Sequence, residues 1–557
     1  MESDTASATD SSCGALLDEK RHLQRPERPR LRRRGRGRGG HGHGQHFCPK
    51  WARTFCTAAG VILVLVLLIV SSLGAYIMWT TDILGDTVND MLILRNGSTA
   101  FDSWQNPPVH PLMRIRIFNY TNLQAYMDGE DEKLLVKEVG PYVFREISKK
   151  TDIKFGDNDT TITYRLNNTY VFVPEESNGT LNDTVTVANM PLMTAFARMQ
   201  DAGLLARLAL RSGMRALQAQ PFHRLTAHQL FWGYKDKLIN TIQTVMGPFN
   251  PAMRNLKVGL LQTKQGVSED VWTVYSGVGE HGLSKLGYYA AYNGEPQVNY
   301  YWGECNEIRG SDGSRFPPEL VRPGGTLWVY LRETCRRTLL VYNTTVKVMN
   351  GIPGLRFVPQ APKRLAKGEE DCFCSEKDGC LPYALMDSSY CKNGAPLVVS
   401  GPHFLTADEE IRTVVNGLNP VPEKHEPYLV IHERMGVPIA GKSRFQFNVK
   451  VHATGGYRYM NALEGKVIPI IWLERDIGEF PHDLQKILYF TAVTLDSLKA
   501  GLQHGLPIVA AMCALSLVLF AAVRCRKNRR LLSAAKRSGD KILLKVTAPP
   551  TREMTRL

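Results

Sequence analysis

The sequence predicts a two-pass membrane protein whose large α+β domain, mostly antiparallel sheet, lies outside the cytosol between its two crossings. Three observations carry the prediction. Two uncharged apolar stretches stand near the ends of the 557-residue chain, six of its eleven cysteines gather between Cys305 and Cys391, and seven N-x-S/T sequons all fall between the apolar stretches.

In chain order, residues 1–53 form a basic polar tail with an arginine-glycine tract at Arg32–Gly40 and histidines at His41, His43 and His46. Such a composition buries too little apolar surface to fold, and beside a membrane it reads as a disordered arm attracted to anionic lipid. Residues 54–79 contain the run Val61–Val70 and no charge, long enough for a transmembrane helix. A cleaved signal peptide does not fit so long a preceding tail or so long an apolar run. Residues 505–523 form the second crossing, followed at once by Arg524, Arg526, Lys527, Arg529 and Arg530. Clustered cations hold a helix end in the cytosol.

The tails 1–53 and 524–557 carry +6 and +9, the whole net charge of +15, so residues 54–523 sum to zero. Basicity is therefore a property of two cytosolic ends, and nucleic acid binding loses its main support. The sequons at Asn96, Asn119, Asn158, Asn167, Asn178, Asn182 and Asn343 mark residues 80–504 as a glycosylated ectodomain. Cys48, Cys56 and Cys525 flank the crossings and are candidate palmitoylation sites. Cys305, Cys335, Cys372, Cys374, Cys380 and Cys391 have no histidine among them and only a Cys-x-Cys spacing, which suits disulfides better than zinc. Fifteen connectivities remain open on spacing alone.

Within the ectodomain, β-branched and aromatic enrichment predicts strands at Phe118–Asn122, Thr160–Val173, Asn182–Val187, Val271–Tyr275, Tyr300–Trp302, Leu327–Leu331, Tyr428–Ile431, Phe445–Val449 and Val467–Leu473. Leu135–Glu146 reads as strand, Gly-Pro turn, strand. Between Pro191 and Gln218 the texture turns to Ala, Leu, Met and Arg, giving short helices divided at Gly203 and Gly213. This stretch, extended to residues 190–232, is the expected helical cap. Ala202–Tyr234 contains no Asp or Glu, while Arg207, Arg211 and Arg215 recur every four residues and Arg224 follows. The spacing predicts a solvent-facing basic stripe, a candidate anionic-ligand surface, with Leu204, Leu205, Leu208 and Leu217 supplying the buried side.

Catalytic patterns are weak. Gly277-Val-Gly-Glu-His-Gly282 is a lone glycine motif without a βαβ unit, Gly310-Ser-Asp-Gly-Ser314 suits a tight loop, and His403 reads as a packed histidine. No enzyme activity, metal or cofactor is expected.

Glu138-Val-Gly-Pro-Tyr-Val-Phe-Arg-Glu146, Leu230-Phe-Trp-Gly-Tyr-Lys-Asp236, Cys305-Asn-Glu-Ile-Arg-Gly-Ser-Asp-Gly-Ser-Arg-Phe-Pro-Pro318, Gly351-Ile-Pro-Gly-Leu-Arg-Phe357, Cys372-Phe-Cys374, Pro402-His-Phe-Leu405, Gly417-Leu-Asn-Pro420 and Ile468-Pro-Ile-Ile-Trp-Leu473 occur in that order. With these motifs, over roughly residues 54–525, the chain resembles the class B scavenger receptor family. That family includes the platelet fatty acid translocase, the high-density lipoprotein receptor, a lysosomal integral membrane protein and insect sensory neuron membrane proteins; an insect-type member is expected. The resemblance implies a mainly antiparallel β-barrel with an internal lipid tunnel and an apical helical bundle. It also implies the pairs Cys305–Cys372, Cys335–Cys391 and Cys374–Cys380. The expected function is a plasma-membrane receptor that binds lipids, lipoproteins or anionic particles at the basic cap and transfers hydrophobic cargo through the tunnel. A lysosomal trafficking receptor for a luminal enzyme and a sensory co-receptor for lipid odorants are the alternatives. Asp540–Leu544 resembles an acidic dileucine sorting signal, Thr555–Leu557 matches a PDZ ligand, and homo-oligomerisation is an allowed arrangement. The best-known fatty acid receptor of the family uses cap lysines, whereas this chain has no lysine between Lys154 and Lys235, so arginine takes that place here.

Overall fold

The computed structural model describes residues 50–546, apart from 201, 257, 350, 361–370, 375–378 and 453–457. The arginine-glycine tail, Cys48, the side chain of Cys56 and Thr555–Leu557 lie outside the described residues. Helix α1 (Lys50–Thr80) and, at the other end, a 52-residue helix Leu495–Val546 are each long and apolar enough to cross a membrane.

The sheet is built from β1 (Leu112–Tyr120), β2 (Val136–Phe155) and β3 (Thr161–Phe172), then β4 (Thr184–Ala188) and β5 (Phe222–Thr226), which pair only with each other. The middle of the chain adds β6 (Gly266–Val267), β7 (Trp272–Tyr275), β8 (Tyr289–Tyr292), β9 (Thr326–Leu331), β10 (Arg336–Val348) and β11 (Ile352–Pro359). It ends with β12 (Met386–Asp387), β13 (Leu397–Ser400), β14 (Tyr428–Ile431), β15 (Pro438–Lys450) and β16 (Val467–Asp476). Strands are antiparallel neighbours in the order β8, β7, β3, β2, β1, β16, β15, β14, β11, β10, β9. The two end strands are joined through Ser311, which bridges to Tyr288 on one side and Val329 on the other. Gly310 makes this junction possible: its φ is +103°, and a Cβ there would lie 2.3 Å from the Trp328 carbonyl. The hydrogen-bonded ladder thereby closes on itself, and the Gly310–Ser314 loop is a structural seam.

Between β4 and β5 lie α2 (Met190–Met199) and α3 (Leu204–Ala216); α4 (Lys237–Met246) follows, packing on α2. Near the C-terminus α5 (His482–Tyr489) runs through one π-turn into α6, the Leu495–Val546 helix. At their outer ends the two long helices touch. Gly74 admits the Leu506 side chain, Trp79 Nε1 donates to the Gln503 carbonyl (2.9 Å), Gln503 Nε2 donates to the Met78 carbonyl (2.9 Å), and Lys499 pairs with Asp82 (2.8 Å).

Strand β16 shows why the sheet is robust. Residues 467–474 are all buried, as a near-continuous apolar run must be when both faces are covered. Pro469 removes one ladder donor, and β15 absorbs it with a register shift at Phe447–Asn448 opposite. Buried charges here are matched: Glu474 accepts from Arg444 (2.7 Å) and Lys442 (3.0 Å). Nearby, Glu138 Oε2 meets His403 Nε2 (2.7 Å) and the Trp472 indole N–H (2.9 Å), while Arg116 lies over the Trp472 ring (4.3 Å). His425 stacks on His403 with ring centroids 4.6 Å apart, and its Nδ1 accepts the Val421 N–H (3.0 Å).

Three local expectations are corrected, and one hairpin is added. Gly140–Pro141 is not a turn: β2 runs straight through it as a bulge, with two residues opposite Arg116 alone, because Gly140 at φ +105° tolerates the Ile115 carbonyl that would crowd a Cβ. Tyr300–Trp302 is a loop; its aromatic content serves packing, with Tyr301 against Phe373 (5.0 Å) and its hydroxyl donating to Thr334 O (3.2 Å). Gly213 lies inside α3, because an exposed glycine costs a helix only about 1 kcal/mol. The β10–β11 hairpin carried a strand pattern that the reading above passed over.

Candidate ligand surface and cavity

The cap helices reverse the expected polarity of α3. Met214, which faces the body of the protein, is buried, and Leu217 packs beside the core. Leu204 and Leu205, expected on the buried side, are 73% and 83% exposed, and Leu208 is also exposed. Nothing described covers them. The same bundle exposes Val245 and, beyond α4, Phe249.

The arginine stripe divides accordingly. Arg207 donates to the Ala202 (2.7 Å) and Gln200 (2.6 Å) carbonyls and so ties down the C-terminal end of α2. Arg211 is half-buried, with its Nε enclosed and unbonded. Arg215 is exposed on the leucine side, and Arg224 is exposed on β5. The stripe is thus not uniformly solvent-facing, since i, i+4 spacing drifts around the helix and only one end of it points away from α2.

The disulfides are Cys305–Cys372, Cys335–Cys391 and Cys374–Cys380, with Cα atoms 5.8, 6.4 and 4.5 Å apart. Cys513 and Cys525 are free, and Cys525 is exposed on α6. Asn96, Asn158, Asn178, Asn182 and Asn343 are exposed, whereas Asn119 and Asn167 are half-buried on strands, Asn119 Oδ1 accepting the Thr186 N–H (2.8 Å). Gly277–Gly282 is a loop after β7. Among the described residues there is no group of three or more metal-type ligands.

The domain holds a partly open cavity of about 3910 Å³. Its lining starts at the cap with Met190, Thr194 and Ile242, passes the inner faces of the sheet at Phe447, Ile470 and Leu473, and reaches Leu484, Ile487 and Thr491 where α5 leads into α6. Apolar wall is interrupted by charge. Glu146, Lys150, Lys264, Arg332, Glu333, Lys392 and Arg475 all face this cavity. Burial drives the Lys150 ammonium down to about 8, and its Nζ donates to the Trp104 carbonyl (2.8 Å) above the Trp104 ring. Burial would raise Glu333, yet Lys264 and Arg332 bring it down to about 2. Sequence reasoning missed this set because its members are scattered from 146 to 475. The one local signal was a polar or charged residue at alternate positions of a strand, Glu146, Ser148, Lys150.

Two apolar helices bracketing a disulfide-bonded antiparallel sheet domain with an internal cavity define a membrane protein of the two-pass kind. The model of the CD36 family matches residues 61–521, and the chain belongs to that family. It is similar to Lysosome membrane protein 2 of Homo sapiens, at 30% identity over 70% of this chain and 80% of the relative. It is similar also to Scavenger receptor class B member 1, at 31% identity to the Rattus norvegicus protein (68% and 72% covered) and 28% to that of Sus scrofa (85% and 91%).

Proposed function

We propose that this chain is a scavenger-type lipid receptor of the cell surface: it docks lipid-bearing or anionic particles on the cap and passes hydrophobic cargo through the cavity, as a tunnel, to the bilayer. The observation that carries the reading is the continuity of the cavity lining from the cap helices to α5, beside the second membrane helix. Cargo moving by this route keeps its apolar surface out of water, a saving of about 25 cal/mol per Å². Flow is downhill and no catalysis is involved. Exposed Leu204, Leu205 and Leu208 with Arg215 suit a lipid surface bearing anionic headgroups better than a purely ionic ligand. Similarity to Scavenger receptor class B member 1 supports the same reading.

Two variants separate capture from transfer. In cells displaying the protein, the triple change Leu204→Ser, Leu205→Ser, Leu208→Ser is expected to abolish docking of phosphatidylserine-containing lipid particles. Thr194→Trp, at the cap end of the cavity, is expected to leave docking intact and cut uptake of a fluorescent lipid. Wild-type docking and uptake in both variants would remove the reading.

Similarity to Lysosome membrane protein 2 supports a second reading, residence in the lysosomal membrane with Asp540–Leu544 as the sorting signal. Microscopy of an endogenously tagged chain decides between surface and lysosome. For surface residence we propose a PDZ adaptor at Thr555–Leu557, whose terminal carboxylate would sit in a backbone nest. One alanine appended after Leu557 is expected to abolish adaptor pull-down and shorten surface residence.

A further inference from the structure

Asp312 bears on Lys150 and Arg332 and Asp270 on Lys392, yet even with these two carboxylates the charged belt of the cavity holds more cations than anions. Arg475 is paired closely with Glu146 (3.0 Å), and Lys264 only loosely with Glu333 (3.8 Å). Lys150, Arg332 and Lys392 have no ion pair among the described residues. Lys392 Nζ donates to the Arg332 carbonyl (3.2 Å), and the Arg332 guanidinium has no hydrogen bond among the described residues, facing the cavity 5.9 Å from the centre of the Trp272 ring. Arg444, by contrast, is enclosed and matched by Glu474. An enclosed cation without a partner is costly, and a carboxylate or phosphate completes it through short, charge-assisted bonds. The belt is also held in place. The Cys335–Cys391 disulfide joins the β9–β10 loop that carries Arg332 and Glu333 to the segment that carries Lys392, and Arg198 of α2 donates to the Asn393 carbonyl. Two segments far apart in sequence are thus fixed so that Lys392 Nζ meets the Arg332 carbonyl and both side chains line the cavity, whose wall also includes the apolar Phe447 and Leu473.

We propose that Lys150, Arg332 and Lys392 form a station for the anionic headgroup, carboxylate or phosphate, of a single amphiphile whose chain lies along the apolar wall. The proposal rests on the cavity reading above and sharpens it. The cap selects particles, and the belt selects, within the cavity, amphiphiles carrying one negative group over neutral lipids of the same chain length.

The test uses full-length protein in nanodiscs and three probes of one chain length: oleate, oleyl phosphate and oleyl alcohol. Wild type is expected to bind at least one of the two anions about tenfold or more tighter than the alcohol, the scale of one or two charge-assisted hydrogen bonds. The comparison of the two anions assigns the headgroup. The double change Arg332→Gln, Lys392→Gln is expected to bring that preference to within about twofold, with alcohol binding unchanged, and Arg332→Lys is expected to retain most of it. A thermal melt matching wild type shows that the double variant folds; if it does not, Lys150→Met, tested alone, is expected to lower the preference. Equal binding of anions and alcohol by wild type, or an unchanged preference in the folded variants, overturns the station while leaving the cavity reading intact. No binding of any of the three overturns the cavity reading itself.

Discussion

Strand β16 and helix α3 are both rich in large apolar side chains, and both carry charge, yet they end in opposite environments. In β16 every residue from Val467 to Glu474 is buried, and Glu474 is answered by Arg444 and Lys442. In α3 three leucines face outward while Arg207 bonds the backbone at the end of α2 and Arg215 has no carboxylate partner among the described residues. Burial with matched charge is what a wall needs. Exposed apolar surface beside unmatched charge stabilises nothing in the isolated chain, so the cap reads as a surface for something else. The cavity belt is the intermediate case: wall residues with the unmatched charge of the cap.

The contrast breaks if wall and cap respond alike to damage. The largest effect is expected from replacing Cys335 and Cys391 with alanine. Opening a loop of 56 residues costs about 4 kcal/mol by chain entropy, and chemical denaturation should show it. Alkylation of the non-reduced, denatured protein should meanwhile leave all six of Cys305–Cys391 unlabelled. Glu474→Leu should cost about 3 kcal/mol, since it strands Arg444 as a buried charge. Joint replacement of Glu474 and Arg444 by apolar residues should recover part of that in the same assay. On the cap the expected costs are smaller. Arg207→Gln should cost about 1 kcal/mol through two lost bonds to backbone, whereas Arg215→Gln should leave stability unchanged and weaken particle capture. A stability loss for Arg215→Gln as large as for Arg207→Gln would erase the distinction drawn along the stripe.

A further contrast is drawn by pH. Burial, with His403 beside it, holds His425 down from 6.5 to about 4, so the folded state binds fewer protons than the unfolded state between those values. Stability should therefore fall as pH drops from about 6.5 to about 4. Glu138 and Glu474 are held low mainly by His403 and by Lys442 with Arg444 respectively, against burial, and their contribution is lost at still lower pH. Melting curves of His425→Asn, which keeps an acceptor for Val421, should be flatter across the first window. An unchanged slope would mean that some other group titrates there.

The sequence alone determined the order of parts. Apolar runs without charge, cationic flanks, and sequons confined to one side define two crossings and an outer domain, because each is a local property read by solvent or bilayer without tertiary help. Long alternating or fully apolar runs such as Thr161–Phe172 and Val467–Leu473 marked sheet for the same reason. What the sequence could not decide was which face of an element meets the body. The helical period places Leu204, Leu205 and Leu208 together, but only packing against α2 determines that they point outward. A strand period places Lys150 opposite its neighbours, but only the closed ladder turns it into the cavity that Arg332 and Lys392 also line. Periodicity fixes neighbours within one element. The sign of a face, buried or exposed, belongs to contacts between elements, and those are set by residues hundreds of positions away.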